Sequence, residues 1–386
     1  MKRGTDRILT THIGSLPRPN DLLQLARAKA VGQLSDEQAY QARLRSAVAE
    51  IVQKQVALGI DIVDDGEFGK LSFLTYVNER LGGFEPDTGK ARSPWTGSRE
   101  VAAFPEFYRP QLENVPARAV RMVCTGPITY KGQAELTRDL DNLQAALAGV
   151  TVSDVFVPAI SPANIEDWNA NRHYRNSEDY LFAIADAMSV EYRTIVAAGF
   201  LLQVDDPQLV MQYMLKPDMT LAQCRAWAEV RVEALNRALK GIPRDKVRYH
   251  TCYGINMGPR VSDMELKDIV DIVLQVEAGA YSFEHANPRH EHEWTVWKTA
   301  KLPDNAILIP GVVTQSSVLV EHPELVADRL VRFANVVGRE NVIAGTDCGF
   351  ASFAGADEIH DSIVWAKLKS LVEGARLATK ALWRRA

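Results

Sequence analysis

Short runs of β-branched and other apolar residues recur along the chain, and polar or glycine residues follow each run. We predict eight strands from these runs, at residues 10–15, 60–67, 120–129, 200–207, 247–254, 280–287, 306–313 and 341–349. The segments between them have apolar residues at a helical period, for example 35–59, 219–241, 262–279 and 322–338. Alternating strands and helices predict a parallel sheet built from βαβ units.

The polar residues after each strand favour an α/β fold of the (β/α)8 TIM barrel class, because a barrel gathers the carboxyl ends of its strands at one rim. An open doubly wound sheet is the alternative, but no G-x-G-x-x-G motif follows the first strand. A ninth apolar run at 155–162 exceeds the eight barrel strands. We therefore predict one barrel domain over residues 1–386, with lid segments inserted at about 84–118 and 150–180, the second of which contains this run.

The composition narrows the classes of partner. Of the 386 residues, 46% are hydrophobic and 24% are charged, which is enough apolar material for a large core. The net charge is −5 and the basic residues are dispersed, so neither nucleic acid nor an anionic membrane is favoured as a partner. The first residues lack the apolar segment of a secretion signal, and no apolar run reaches the roughly 18 residues of a membrane span. We expect a cytoplasmic protein with small-molecule partners, and assembly into a homo-oligomer stays open.

Three strand ends carry side chains that bind metals. In the segment H-T-C, His250 and Cys252 are two positions apart, so on a strand both side chains point to the same face. Glu284 ends the next predicted strand and Cys348 ends the last one. This set of nitrogen, sulfur and oxygen donors suits Zn(II), and we predict a zinc site on these four residues. The alternative is that the cysteines are buried core residues, as free cysteines often are, and that Glu284 pairs with an arginine.

Two further clusters have open roles. A rival metal site could use the acid and the histidines of FEHANPRHEHEW, namely Glu284, His285, His290 and His292, but histidines in such a charged loop are more often solvated or hydrogen-bonded. Carboxylates follow two other strands, at Asp64, Asp65, Glu67, Asp205 and Asp206. We expect some of these to cap helices and one or two to anchor an ammonium group of a substrate.

An ordered set of motifs extends along nearly the whole chain: TTHIGSLPRP, DDGE, TGPIT, LQVDDP, HTCYG, SFEHANPRHEHEW, IPGVV and GTDCGF. With this set the chain resembles the C-terminal catalytic domain of cobalamin-independent methionine synthase, its shorter bacterial and archaeal paralogues, and the related epoxyalkane:coenzyme M transferases. The resemblance implies zinc on His250, Cys252, Glu284 and Cys348, with a thiol acceptor bound to it. It also implies that the amino-acid end of this thiol lies at Ile13, Gly14, Ser15, Glu67 and Asp205, with Glu67 and Asp205 as the catalytic side chains.

Three positions depart from the family pattern. The folate-side tryptophan is expected near Gln133, the folate-contacting glutamate near Met211, and the proton-donating histidine near Ser316. These departures make a folate polyglutamate a less favoured donor of the methyl group.

The chemistry that follows is nucleophilic attack by sulfur. A metal-bound thiol is deprotonated at neutral pH, and the thiolate can attack a methyl or epoxide carbon held in line with it. Because four protein ligands normally mark a closed structural site, we expect the thiol to displace one of them, with Glu284 as the candidate. Three functions stay open: methyl transfer to a small thiol such as homocysteine, alkyl transfer from an epoxide or other electrophile to a thiol such as coenzyme M, and noncatalytic zinc binding.

Overall fold

The computed structural model describes residues 1–87, 93, 95–113, 121–254, 258–355 and 359–383. Within these residues the strands are β1 (Leu9–Thr10), β2 (Ile62–Val63), β3 (Leu81–Pro86), β4 (Met122–Tyr130), β5 (Asp154–Ile160), β6 (Ala170–Asn171), β7 (Leu201–Asp205), β8 (Val247–His250), β9 (Ala280–Phe283), β10 (Ile307–Val313) and β11 (Ile343–Thr346).

Eight of these strands form one parallel sheet that curves into a nearly closed barrel. Their order is β1-β11-β10-β9-β8-β7-β5-β2. The two end strands approach each other where the amide of Asp61 donates to the carbonyl oxygen of Thr10 at 3.2 Å. Beside this contact, Thr11 Oγ1 donates to the carbonyl oxygen of Ile62 at 3.1 Å. The predicted (β/α)8 class is therefore confirmed.

The third barrel strand is not the one that we predicted. Residues 155–160, which we placed in a lid, lie in β5, which pairs in parallel with both β2 and β7. Residues 122–129, which we placed in the barrel, lie in β4, which pairs with β3 and β6 in a separate sheet of three strands. Barrel strands are covered on both faces and are apolar at successive positions. That condition holds for Phe156–Ile160, whereas in β4 only Val123 and Cys124 are buried.

The α-helices are α1 (Asn20–Ala30), α2 (Glu37–Leu58), α3 (Val77–Arg80), α4 (Arg99–Ala103), α5 (Pro105–Glu113), α6 (Gln133–Ala146), α7 (Pro162–Trp168), α8 (Ser177–Ala197), α9 (Gln208–Leu215), α10 (Leu221–Leu239), α11 (Val270–Val273), α12 (Pro323–Val337) and α13 (Asp361–Leu382). Short 3-10 helices occur at Arg244–Lys246, Leu266–Asp268, Glu291–Lys298 and Arg339–Asn341. None of the helices in the described ranges is long and apolar enough to cross a membrane.

Local sequence signals set the ends of the long helices. Asp36 caps α2 by accepting a hydrogen bond from the amide of Ala39 at 2.9 Å, and Gly59 ends the helix in the left-handed conformation. Thr220 and Gln223 form a reciprocal capping box at the start of α10. The helix α2 packs against α6 and β2, and α10 packs against α8.

The barrel interior has an apolar half and a polar half. Near the amino ends of the strands, a cluster of buried side chains fills the interior: Leu9, Ile62, Phe156, Leu201, Ala280, Ile307, Ile309 and Ile343. Toward the carboxyl ends the buried side chains become polar, as at Gln203, Arg248 and His250. Function is therefore expected at the carboxyl rim, as in other barrels of this class.

The predicted insertion at about 84–118 includes residues 88–92, 94 and 114–118, which lie outside the described residues. Its described part covers one edge of the rim. The indole of Trp95 stacks on the ring of Tyr108, with centroids 6.2 Å apart, and reaches to within 3.9 Å of a Cβ built at Gly254. The insertion is held to α9 by Arg99, whose guanidinium donates to the carbonyl oxygen of Tyr213 at 2.9 Å.

Candidate active site

Three of the four predicted metal ligands meet at the carboxyl rim of the barrel. His250 is the last residue of β8, Cys252 lies two residues beyond it, and Cys348 lies two residues beyond β11. One ligand atom from each lies within 4.8 Å of the others, and the two Sγ atoms are 3.4 Å apart. All three side chains are buried. Strands far apart in sequence thus bring one imidazole and two thiols to a single point.

A carboxylate orients the imidazole. Asp205 is the last residue of β7 and lies directly across from His250 in the parallel pair. Its Oδ1 is 2.8 Å from His250 Nδ1. A buried carboxylate at this distance favours the tautomer with the proton on Nδ1, which leaves the lone pair of Nε2 for a metal ion.

The ligand group also shifts the pKa values of its own members. A hydrogen bond from Cys348 and the neighbouring imidazolium hold the pKa of Cys252 well below that of a free thiol. Burial acts to lower the pKa of His250, but the Cys252 thiolate and Asp205 outweigh it and raise that pKa to about 10. These shifts favour a Cys252 thiolate beside a protonated His250 imidazole, and a divalent cation bound by this group would displace the imidazole proton.

The fourth predicted ligand, Glu284, lies beside this group but outside it. Its Oε1 accepts a hydrogen bond from the amide of Tyr253 at 2.9 Å, and its Oε2 accepts one from Asn287 Nδ2 at 2.8 Å. Burial raises the pKa of this carboxyl to about 8, and the charge of Cys252 adds to that rise. The structure therefore holds this side chain in protein hydrogen bonds.

The donor chemistry fits a metal ion. Two thiols and one imidazole are the donors that bind zinc, and a set of three protein ligands leaves a fourth position open for a substrate. The carboxylate behind the imidazole is a common support of metal-binding histidines. Asp347 adds a second support, because it accepts hydrogen bonds from three successive amides, those of residues 285–287, and so fixes the loop after Glu284.

A pocket joins this group to the predicted substrate-binding residues. All the predicted site residues except Gly14 and Glu284 line it, namely Ile13, Ser15, Glu67, Asp205, His250, Cys252 and Cys348. The rings of Phe73 and Phe353 also line it and meet edge to face, with centroids 5.8 Å apart. The site thus has a buried sulfur end, an acidic side and an aromatic wall.

The acidic side of the pocket contains a carboxylate oxygen that has no hydrogen-bond donor in the part of the chain that the structure describes. Glu67 is buried and has a positive φ of 59°, and its Oε2 has no hydrogen-bond partner among the described residues. Burial raises the pKa of this carboxyl to about 7, and the charge of Asp205 adds to that rise. Gly14 backs this region: a Cβ at its position would lie 2.8 Å from Glu67 Oε1 and 3.2 Å from Asp64 Oδ2. Only glycine fits between these acids at a φ of 129°.

The rival metal site does not form. His290 lies between two carboxylates, with Nδ1 2.9 Å from Glu293 and Nε2 3.1 Å from Asp263. His285 Nε2 accepts a hydrogen bond from the indole of Trp297, and His292 is exposed. Among the described residues, these histidines belong to no group with the geometry of a metal site.

The three positions that depart from the family pattern differ in their surroundings. Gln133 is exposed at the start of α6. Met211 lies on α9 and packs beside the pocket residue Gly254, where an added Cβ would be 2.9 Å from Met211 Sδ. Ser316 forms a hydrogen bond of 2.8 Å with the hydroxyl of Thr314.

Sequence reasoning missed several residues that shape the site. Phe73 and Phe353 line the pocket from two loops, and no local pattern marks them. Asp347 precedes a predicted ligand, so its place in the motif GTDCG was a signal. Gln203 precedes Asp205 by two residues on β7, and the period of a strand could have indicated that both point to the same face.

Comparisons with known proteins identify the family of this chain. Residues 8–106 and 107–376 match the family model described as the catalytic domain of cobalamin-independent synthase. A methionine synthase of Saccharolobus solfataricus is 26% identical over 380 residues, which cover 97% of this chain and 96% of that protein. A methionine synthase of Thermococcus kodakarensis is 24% identical, covering 97% and 94% of the two chains.

The fold is also that of solved structures. A B12-independent methionine synthase from Shewanella sp. W3-18-1, in complex with selenomethionine, superposes with a TM-score of 0.73 at 20% identity, covering 97% of this chain and 99% of that one. A structure described as a vitamin-B12 independent methionine synthase from Listeria monocytogenes gives a TM-score of 0.67 at 17% identity, covering 98% and 100%. These likenesses support the barrel over its whole length.

Proposed function

Because this chain belongs to the family of cobalamin-independent synthase catalytic domains, we propose that it transfers a methyl group to the sulfur of a small amino-acid thiol such as homocysteine. We further propose that zinc is bound by His250, Cys252 and Cys348, with Glu284 as an exchangeable fourth ligand. One observation carries the proposal: these three donors converge, buried, at the end of a pocket whose side wall is acidic.

The metal would supply the nucleophile, because a thiol bound to zinc is deprotonated at neutral pH and still reacts through sulfur. The chain's own residues would orient the metal-binding imidazole and shape the pocket around the sulfur. Asp205 holds the imidazole of His250 by its Nδ1 proton at 2.8 Å. Phe73 and Phe353 form an apolar wall of the pocket, which would reduce the access of water to the sulfur when the substrates are bound.

The acidic side of the pocket supports an amino-acid thiol. An ammonium group has three N–H donors. Glu67 Oε2 has no hydrogen-bond partner among the described residues, and Ile13 and Asp205, whose oxygens already accept from Gln203, line the same pocket. A thiol with an amino group would therefore supply a donor to the Glu67 oxygen, which is otherwise buried unpaired at a cost in free energy.

The donor of the alkyl group could instead be an epoxide or another electrophile. Ser316 supports this second candidate, because a serine bonded to Thr314 occupies the region where the resemblance places a proton-donating histidine. An opened epoxide oxygen takes up the proton itself, so this reaction depends less on such a histidine. The thiol end of the site is the same in both reactions.

The test combines metal analysis with a screen of thiols against methyl and epoxide donors, for the wild type and for Cys348→Ser. We expect one zinc per wild-type chain, turnover of at least one pair of substrates, and loss of both turnover and most of the zinc in the variant. Cys224→Ser is the matched control, since Cys224 is also a free buried thiol but lies on α10. A metal-replete and active Cys348→Ser enzyme would overturn the proposal.

Noncatalytic zinc binding predicts a different result. In cobalt-substituted protein, a structural site has no position for an incoming thiol, so its visible ligand-field bands stay constant as homocysteine is added. The proposed enzyme predicts bands that shift and saturate. Constant bands together with no turnover for any substrate pair would favour the noncatalytic function.

A further inference from the structure

Gln203 lies directly beneath the site and is not part of the proposed chemistry. It is the third residue of β7 and is completely buried, and its side chain points to the same face as Asp205. In the parallel pair of β7 with β8 it lies across from Arg248, while Asp205 lies across from His250. It is therefore one layer deeper in the barrel than the metal-binding group.

Its amide nitrogen joins two parts of the site. Nε2 donates to the carbonyl oxygen of Ile13 at 2.6 Å and to Asp205 Oδ1 at 2.7 Å. The same Oδ1 is 2.8 Å from His250 Nδ1. Both protons of one amide group are thus used to tie the loop after β1 to the carboxylate that orients the imidazole.

The orientation of this amide is determined by its surroundings. With the amide reversed, Oε1 would face the Ile13 carbonyl oxygen and the Asp205 carboxylate, and three acceptors would meet without a proton. In the orientation present, Oε1 has no hydrogen-bond partner among the described residues and is buried. The protein accepts the cost of one unpaired acceptor here, which indicates that the two bonds of Nε2 matter.

Neighbouring donors do not duplicate this link. Arg248 donates to the carbonyl oxygen of His12 at 2.8 Å and to Thr11 Oγ1 at 3.0 Å, so it also holds the loop after β1. No hydrogen bond joins its guanidinium to Asp205 among those found in the described residues. Gln203 is thus the side chain that sets the distance between the Ile13 carbonyl oxygen and Asp205.

We propose that Gln203 is a positioning residue that makes the site specific for thiols that carry an amino group. The inference rests on the proposed function, in which an ammonium group lies against Ile13, Glu67 and Asp205. Gln203 holds the first and the last of these acceptors at a fixed separation. A thiol without an amino group makes no use of that separation, because it has no N–H donors for the Ile13 carbonyl oxygen and Asp205.

The test compares two thiols that differ only in the amine, homocysteine and 4-mercaptobutanoate, on zinc-loaded protein. Gln203→Met keeps the length of the side chain and removes both hydrogen bonds. We expect homocysteine to bind about 10-fold or more weakly to this variant, because the Ile13 carbonyl oxygen and the Asp205 carboxylate are no longer held at the separation that the ammonium group uses. The binding of 4-mercaptobutanoate should change less than about 3-fold on the same scale. Calorimetric titration gives both dissociation constants, and zinc content checks the metal site.

Controls separate the possible outcomes. Gln212→Met is matched, since Gln212 is a buried glutamine on α9 that does not line the pocket, and it should leave both affinities unchanged. If Gln203→Met does not fold, Gln203→Asn replaces it, because the shorter amide cannot span both acceptors. Equal weakening of both thiols, or no change in either, would overturn the specificity role. A wild type that binds neither thiol would instead overturn the proposed function, and this inference with it.

Discussion

Replacing Glu67 with glutamine tests two effects of the acidic side of the pocket, one on protein stability and one on substrate binding. Burial raises the pKa of the Glu67 carboxyl from 4.5 to about 7, so its ionised form is unfavourable in the free protein. The same ionised form is the one that an ammonium group requires. The substitution removes a charge that costs stability and that the proposed substrate needs.

The sign and size of the stability effect follow from linkage. A carboxyl whose pKa is higher in the folded state keeps its proton there while the unfolded chain has lost it, so stability falls as pH rises from 4.5 to about 7 and stays lower above that pH. One pKa unit corresponds to 1.36 kcal/mol, so the cost at pH 8 is on the order of 3 kcal/mol. Glu67→Gln should remove most of this cost.

Homocysteine binding should show the opposite trend to stability and strengthen as pH rises. Ionisation of the Glu67 carboxyl is expected to contribute a rise of about 10-fold in homocysteine affinity per pH unit below 7, and this contribution should level off near pH 8. The thiol adds its own pH dependence, because it loses a proton to bind the metal. Glu67→Gln should bind homocysteine weakly and should keep only the pH dependence that comes from the thiol. Calorimetry at several pH values, in buffers with different ionisation enthalpies, measures both the affinity and the proton released on binding.

Asp206→Asn is the control, because Asp206 is also buried with a pKa raised to about 6 but does not line the pocket. It should leave the pH dependence of homocysteine binding intact. A flat binding profile for the wild type between pH 5.5 and 8, or an unchanged profile in Glu67→Gln, would refute the assignment of this carboxylate to the amine.

Three further changes test other parts of the structure. Glu284→Gln should reduce zinc affinity in chelator competition far less than Cys348→Ser does, because the Glu284 carboxylate is held by protein hydrogen bonds outside the ligand group; equal losses would make it a full ligand. Gly14→Ala should lower the free energy of unfolding by about 1–3 kcal/mol in denaturant titrations, because φ is positive and the added Cβ would lie less than 3 Å from neighbouring atoms. An unchanged stability would contradict that packing. Arg80→Met should lower the free energy of unfolding by about 3–5 kcal/mol, since it leaves Glu191 buried without its cation, whereas Asp139 keeps its ion pair with Arg138. A loss below about 1 kcal/mol would mean that the Arg80–Glu191 pair is not isolated from water.

The local pattern of the chain was enough for the fold class and for part of the site. Alternating apolar runs predict the barrel, and a spacing of two residues brings His250 and Cys252 to one face because side chains alternate along a strand. Polar residues after each strand located the rim. These inferences need only the geometry of single strands and the closure of a parallel sheet.

The third strand shows where a local pattern is insufficient. Residues 122–130 and 154–160 are both apolar runs, and their place depends on which neighbour pairs with them. β4 pairs with the glycine-containing strand β3, which has no strong strand signal of its own. Pairing between distant segments is a property of the whole chain, so the run that enters the barrel is decided by tertiary contacts.

Side-chain partners were likewise decided only by the tertiary structure. The sequence contains Glu284 at a strand end, but the direction of its carboxylate follows from the amide of Tyr253 and from Asn287. No sequence pattern marks Gln203, and its proposed role follows from one acceptor in the loop after β1 and one at the end of β7. Strand periodicity determines which face a side chain occupies, whereas hydrogen bonds across the barrel determine which atom it meets, because only the closed fold brings those atoms within 3 Å.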